Sequence, residues 1–138
     1  MTKVNMKTQV PVSADKLWEL IGQFNGLPNW HPAIEKSELE EDGKVRRLTL
    51  VGGGSIVERL ERVDDNEHLY RYSILESPLP VADYVAEIRV RQNEEGTGST
   101  IEWSSEFKPK DASVQKATEV IQGIYQTGFD NLKKLFGA

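Results

Sequence analysis

The chain contains no cysteine. That absence removes disulfides, thiolate nucleophiles, redox pairs and cysteine-ligated metals together. Histidine is nearly as scarce: His31 and His68 are the two present, and their placement gives no metal-ligand spacing, so no metal is expected. No apolar run approaches the ~20 residues that cross a bilayer, and stable membrane insertion is not expected. The opening Met1-Thr2-Lys3-Val4-Asn5-Met6-Lys7 has basic residues but not the apolar stretch of a signal peptide. With cysteine absent, this fits a cytoplasmic protein. Charge of one sign is lacking too. The formal balance is −5 with acids and bases interspersed, so no basic patch points to nucleic acid.

Three chemical classes also fall away. Gly52-Gly53-Gly54-Ser55 lacks the Walker lysine and following helix of a phosphate loop. Ser13, Ser55 and Ser105 have no evident His–Asp partners for hydrolase chemistry. No motif asks for a cofactor. The oligomeric state stays open.

What is there reads as one domain over residues 1–138, long enough to bury a core without staples. Residues 3–10 form a strand ending at Pro11. Ser13 caps a short helix whose apolar side is Leu17, Trp18, Leu20 and Ile21, loosened by Gly22. The breaker-rich Asn25–Pro32 segment allows a single further helical turn. From Ile34 the period becomes extended: strands at 34–40, 45–51, 55–63, 68–76, 82–92 and 99–108, separated by Asp-Gly, triple-glycine, acidic and Pro-rich turns. Val114, Ala117, Ile121, Ile124, Tyr125, Gly128, Leu132 and Leu135 then recur at three- and four-residue spacing. They predict a helix over 112–136, with Asp111 as its cap. The expected fold is therefore α+β: a curved antiparallel sheet of six or seven strands around a long C-terminal helix, with two short helical pieces after the first strand.

That order of motifs resembles the helix-grip superfamily of START domains, Bet v 1-type proteins and bacterial polyketide cyclase/dehydrase-like (SRPBCC) proteins. Pro11–Trp18, Trp30-His31-Pro32, Glu58-Arg59-Leu60, Tyr70–Ile74, Pro78–Val81 and Tyr84 carry the resemblance. The stretch from Val57 to Tyr84 is also similar to plant abscisic-acid receptors. In that comparison Gly52–Ser55 and Ser77–Pro80 occupy the places of the gate and latch loops, and Gly52–Ser55 and Ser77–Val81 are expected as the movable and fixed sides of a pocket mouth. The resemblance implies an internal cavity for a small hydrophobic or amphipathic ligand (lipid-, polyketide- or aromatic-like). The alternative it implies is a cyclase, dehydratase or isomerase.

Strand alternation nominates the lining. Tyr72, Tyr84, Ala86, Trp103 and Ser105 face inward, opposite Ile121, Tyr125 and Gly128 on the long helix, with Trp30 from the breaker-rich segment. The small Ala86, Ser105 and Gly128 either leave a cavity or admit aromatic neighbours. Glu58 lies between inward Ile56 and Leu60. Three readings stand for it: a ligand anchor, an internal hydrogen bond to Tyr72, His31 or an arginine, or an acid–base catalyst. His31 occupies the place of a ligand-binding lysine in the similar plant receptors, so it is a second candidate for lining or catalysis. His68, Arg46-Arg47 and Arg89-Arg91 read as solvated.

Overall fold

A computed structural model describes residues 1–137. Strand β1 (Thr2–Val10) leads to helix α1 (Ala14–Ile21), a 3-10 segment (Phe24–Asn29), and strands β2 (Ile34–Glu40), β3 (Val45–Leu50), β4 (Ser55–Asp64), β5 (Leu69–Glu76), β6 (Val81–Gln92) and β7 (Ser99–Pro109). Helix α2 (Val114–Leu135) closes the order. The strands form one curved seven-stranded sheet in the order β1-β7-β6-β5-β4-β3-β2, antiparallel throughout. Each neighbouring pair from β2 to β7 is also consecutive in the chain, as hairpin-length turns require.

Helix α2 buries Ala117, Ile121, Tyr125, Gly128, Phe129 and Leu132 in the core. Its cap differs from the expected Asp111. Ser113 has the extended backbone of an N-cap and its hydroxyl accepts from Lys116 N, whereas Asp111 sits in a left-handed turn at φ 56°. A serine one residue before the first helical position satisfies an orphan amide directly, and Asp111 is too far upstream to do so. The apolar stripe is also shorter than its sequence period: Val114 and Leu135, at the helix ends, are exposed.

Helix α1 is capped by Ser13, as its sequence predicts. Gly22 does more than loosen its end. A Cβ there would stand 2.5 Å from the Trp18 ring, so only glycine lets that ring fold across the helix terminus. Trp18 then stacks on His68 (ring centroids 5.4 Å apart) and donates from Nε1 to Asp65. His68 is consequently half-buried rather than solvated, with its ring nitrogens facing the Asp65 carbonyl and the Asp15 carboxylate. These contacts close one end of the molecule. At the sheet margin, β2 carries Glu35, Lys36, Glu38 and Glu40 along the free edge.

Candidate functional site

The site begins with a parity. Leu48 and Leu50 face the interior of β3, so Arg46, two residues earlier, must do the same. It is fully buried, not solvated as the sequence reading had it, and it lies directly across from Glu58 of β4. Arg46 Nε donates to Glu58 Oε1 at 2.8 Å, and Nη2 approaches the same oxygen at 2.7 Å. Nη1 donates to the Phe24 carbonyl at 2.6 Å. The guanidinium also lies 4.2 Å from the Phe24 ring centroid and 5.2 Å from that of Tyr72, within cation–π range.

Burial works against the Arg46 charge, but Tyr70, Glu58 and Tyr72 more than offset it and hold the proton more tightly than water would. Burial raises the Glu58 carboxyl, and Arg46 opposes that rise without cancelling it. Both Arg46 contacts converge on one carboxylate oxygen. Among the described residues, no hydrogen bond reaches Oε2.

Glu58 borders an inner cavity of about 30 Å³ whose walls are otherwise mostly apolar, with His31, Tyr72, Tyr84, Trp103, Ile121, Ile124 and Leu79 among its neighbours. That volume admits about one water. The tyrosines form a buried chain: Trp103 Nε1 donates to Tyr72 at 3.0 Å, Tyr72 meets Tyr84 at 3.3 Å, and Tyr84 meets Tyr125 at 2.5 Å. Burial pushes all three phenols upward, so they act as neutral hydrogen-bonding groups.

His31 is held by two backbone partners. The Ile124 carbonyl can only accept, so Nε2, 2.8 Å away, carries the ring proton, and Nδ1 accepts from Ala33 N at 3.3 Å. Burial lowers its pKa, while the bond to Ile124 opposes this. The imidazole is therefore a neutral tie between helix α2 and the segment before β2.

Six of the residues nominated from sequence border the cavity: His31, Glu58, Tyr72, Tyr84, Trp103 and Ile121. Trp30, Ala86, Ser105, Tyr125 and Gly128 do not. At Gly128 the missing side chain leaves no free space, since a Cβ would meet His31, Trp30 and Trp103 at 2.9 to 3.3 Å. Tyr125 instead stacks on Trp103, with centroids 4.2 Å apart. The sequence reading missed Leu27, Ile34, Leu48, Ile56, Ile74, Leu79 and Ile124 as lining. Ile56 and Ile74 were read as inward and Leu79 as an apolar contact at the pocket mouth without being nominated as lining; inward parity was available for Leu48 as well.

A larger groove of about 310 Å³ crosses the outer face of the sheet. Its charges are engaged with one another, Lys3 with Glu106 and Arg71 with Glu87, leaving no free recognition group of the kind Glu58 offers. Among the described residues, no cluster of His, Asp or Glu could hold a metal, and no helix is long and apolar enough to cross a membrane.

A family model described as "Polyketide cyclase / dehydrase and lipid transport" matches residues 1–137. The chain belongs to that family. The solved structure of the Bacillus cereus protein XoxI is 39% identical, with a TM-score of 0.96 over 99% of this chain and 96% of that one. An uncharacterised Bacillus thuringiensis protein is 38% identical, with a TM-score of 0.95 and 99% of each chain covered. A START superfamily protein from Mycobacterium smegmatis shares the fold at 12% identity, with a TM-score of 0.81, 98% of this chain and 97% of that one. The pathogenesis-related protein STH-21 of Solanum tuberosum is 27% identical over 81 residues, 55% of this chain. The alignment spans 52% of that relative's length. This member of the polyketide cyclase / dehydrase and lipid transport family thus has the START/Bet v 1-like helix-grip fold.

Proposed function

We propose that this protein binds a small amphipathic or apolar molecule at the inner cavity, with Glu58 as its polar anchor. The observation that carries this reading is the division of labour within one carboxylate. Oε1 is saturated by Arg46, while Oε2 has no partner among the described residues and Glu58 borders a cavity with mostly apolar walls. With its side chain only 7% exposed, Glu58 has little water to serve Oε2, and a ligand hydroxyl or a bridging water supplies the hydrogen bond it lacks. A hydroxyl suits the place well, because it can donate to Glu58 and accept from a tyrosine O–H. The resting volume of about 30 Å³ means that the walls part when anything larger than water binds.

The alternative is a cyclase-, dehydratase- or isomerase-type enzyme using Glu58 or His31, and the geometry supports it less. His31 has both nitrogens committed to backbone groups, and the tyrosines are held neutral. No free acid–base pair faces one point in the cavity.

Native mass spectrometry of gently purified protein should reveal a co-purified small molecule. Glu58→Gln should weaken a hydroxylated ligand by about ten- to a hundredfold, the ~1.5–3 kcal/mol of a charge-assisted hydrogen bond. Binding of a hydrocarbon analogue should change far less. Equal affinity of wild type and Glu58→Gln for the hydroxylated ligand would remove the anchor.

A further inference from the structure

In the pair of Arg46 and Glu58, one partner dictates and the other follows. A guanidinium has N–H donors and no acceptor, so any group that faces it has to accept. Arg46 is itself held from several sides. Nη1 donates to the Phe24 carbonyl at 2.6 Å, and the ring centroids of Phe24, Tyr72 and Tyr70 lie 4.2, 5.2 and 5.7 Å from Cζ. Nε and Nη2 both meet Glu58 Oε1, at 2.8 and 2.7 Å. With Oε1 turned to Arg46, Oε2 is the atom left for the cavity that Glu58 borders.

A second donor acts in the same way one strand further on. Tyr72 borders the same cavity from β5 and stands diagonal to Glu58, since Leu60 lies opposite Tyr72 and Ile74 opposite Glu58. Trp103 Nε1 can only donate, and it reaches the Tyr72 oxygen at 3.0 Å. Tyr84 lies 3.3 Å from that oxygen and is bonded in turn to Tyr125. When Tyr125 donates to Tyr84 and Tyr84 to Tyr72, both acceptor positions of Tyr72 are filled. Its O–H is then free for the cavity.

Resting on the cavity-binding reading above, we infer that Arg46 is a positioning residue that sets the hydrogen-bond polarity of the anchor, so that the cavity selects a ligand hydroxyl over a carbonyl of the same shape. The hydroxyl donates to Glu58 Oε2 and accepts from Tyr72. A carbonyl can only accept, and it turns its lone pairs against the carboxylate. Discrimination of this kind is steep, because it leaves a desolvated acceptor without its donor. The assigned ligand class is therefore an alcohol or phenol, and ketones, aldehydes and esters are turned away.

Arg46 makes one variant diagnostic. In Glu58→Gln the new amide has an accepting end and a donating end, and Arg46 can pair with the accepting end alone. The NH2 group then turns to the cavity, which presents two donors. Preference should invert toward the carbonyl, an outcome that a pair serving stability alone would not produce.

Cyclohexanol and cyclohexanone are close in shape and differ in this donor. Titrations followed by amide NMR should show wild type binding the alcohol at least about tenfold more tightly, and Glu58→Gln binding the ketone more tightly. Arg46→Met combined with Glu58→Gln removes both charges and lets the amide turn either way. The two probes should then bind within about threefold of each other.

If Glu58→Gln alone is unfolded by its amide spectrum, the charge-free double variant against wild type carries the test. Equal binding of the two probes by wild type overturns the polarity rule and leaves the cavity reading intact. So does a folded Glu58→Gln protein that still prefers the alcohol or favours neither probe. A double variant that separates the probes by about tenfold or more removes Arg46 as the directing group. Failure of wild type to bind either probe overturns the polarity rule and the cavity reading together.

Discussion

The two ends of this molecule handle polar groups in opposite ways. At the α1 end, Trp18, His68, Asp15 and Asp65 satisfy one another within the chain. Elsewhere the sheet parts between β5 and β6, and Glu58 keeps an oxygen without a partner among the described residues. The same kinds of residue thus serve structure where their bonds close internally, and recognition where one bond is left over. Changes at the closed end should cost stability and spare binding. Changes to the unpartnered oxygen should do the reverse.

The strongest way to break that contrast is Arg46→Met, which strands the Glu58 carboxylate in the core. The loss should be about 3–5 kcal/mol in urea unfolding, and a second change, Glu58→Leu, should restore much of it. The single variant also has a pH signature. Glu58 has a folded pKa raised above its ordinary 4.5, and losing Arg46 removes the opposing pull. The native state then binds more protons than the unfolded chain, so stability should fall as pH rises from about 4.5 upward. A variant whose stability rises over that range would show that the carboxyl is not the stranded group.

Gly128→Ala comes next. Its Cβ presses on His31, Trp30 and Trp103, an overpacking cost of about 1–3 kcal/mol that better helix propensity offsets by about 1. Thermal unfolding measures the balance, and a net gain in stability would mean the three rings yield more easily than their packing implies. At the closed end, Trp18→Phe keeps the stacked ring and loses the hydrogen bond to Asp65. A cost of about 0.5–1.5 kcal/mol is expected, with ligand affinity unchanged.

The gentlest effect is a slope. His31 has a folded pKa below its ordinary 6.5 because burial disfavours the imidazolium. Its contribution is fully present above 6.5 and is lost as pH falls through the lower folded value. His31→Gln should flatten that acid limb in urea midpoints taken at steps below about pH 7. An unchanged limb would assign the acid sensitivity to other groups.

Much of the frame was legible because it depends on local chemistry. Asp42-Gly43, the three glycines and the proline pair mark turns, and period-two and period-3.6 patterns mark the elements between them. The inward position of Glu58 followed from Ile56 and Leu60. Its partner was equally readable, since Arg46 shares parity with Leu48, but a charged side chain reads as solvated until a buried counter-charge is placed opposite it. What resisted reading was the occupancy of space. Gly128 looked like a void and is a seat for three rings, because volume depends on where Trp30 and His31 arrive from a distant segment. The β5–β6 parting was hidden for a related reason: bulges at Leu75 and Asp83 arise from pairing on both flanks and leave no mark in either strand alone.

The charges along β2 bear on how copies of this chain meet at high concentration. An outermost strand offers a ladder to any second sheet that aligns with it. Glu35, Glu38 and Glu40 are set against this; Lys36 engages Glu38 at 3.1 Å and Arg47 engages Glu40 at 2.9 Å, so Glu35 supplies the excess negative charge of the row. Two such margins approaching each other bring carboxylates together, and the repulsion grows as salt is removed. The sheet should therefore keep its colloidal stability best in dilute buffer, and lose that protection where acid neutralises the row.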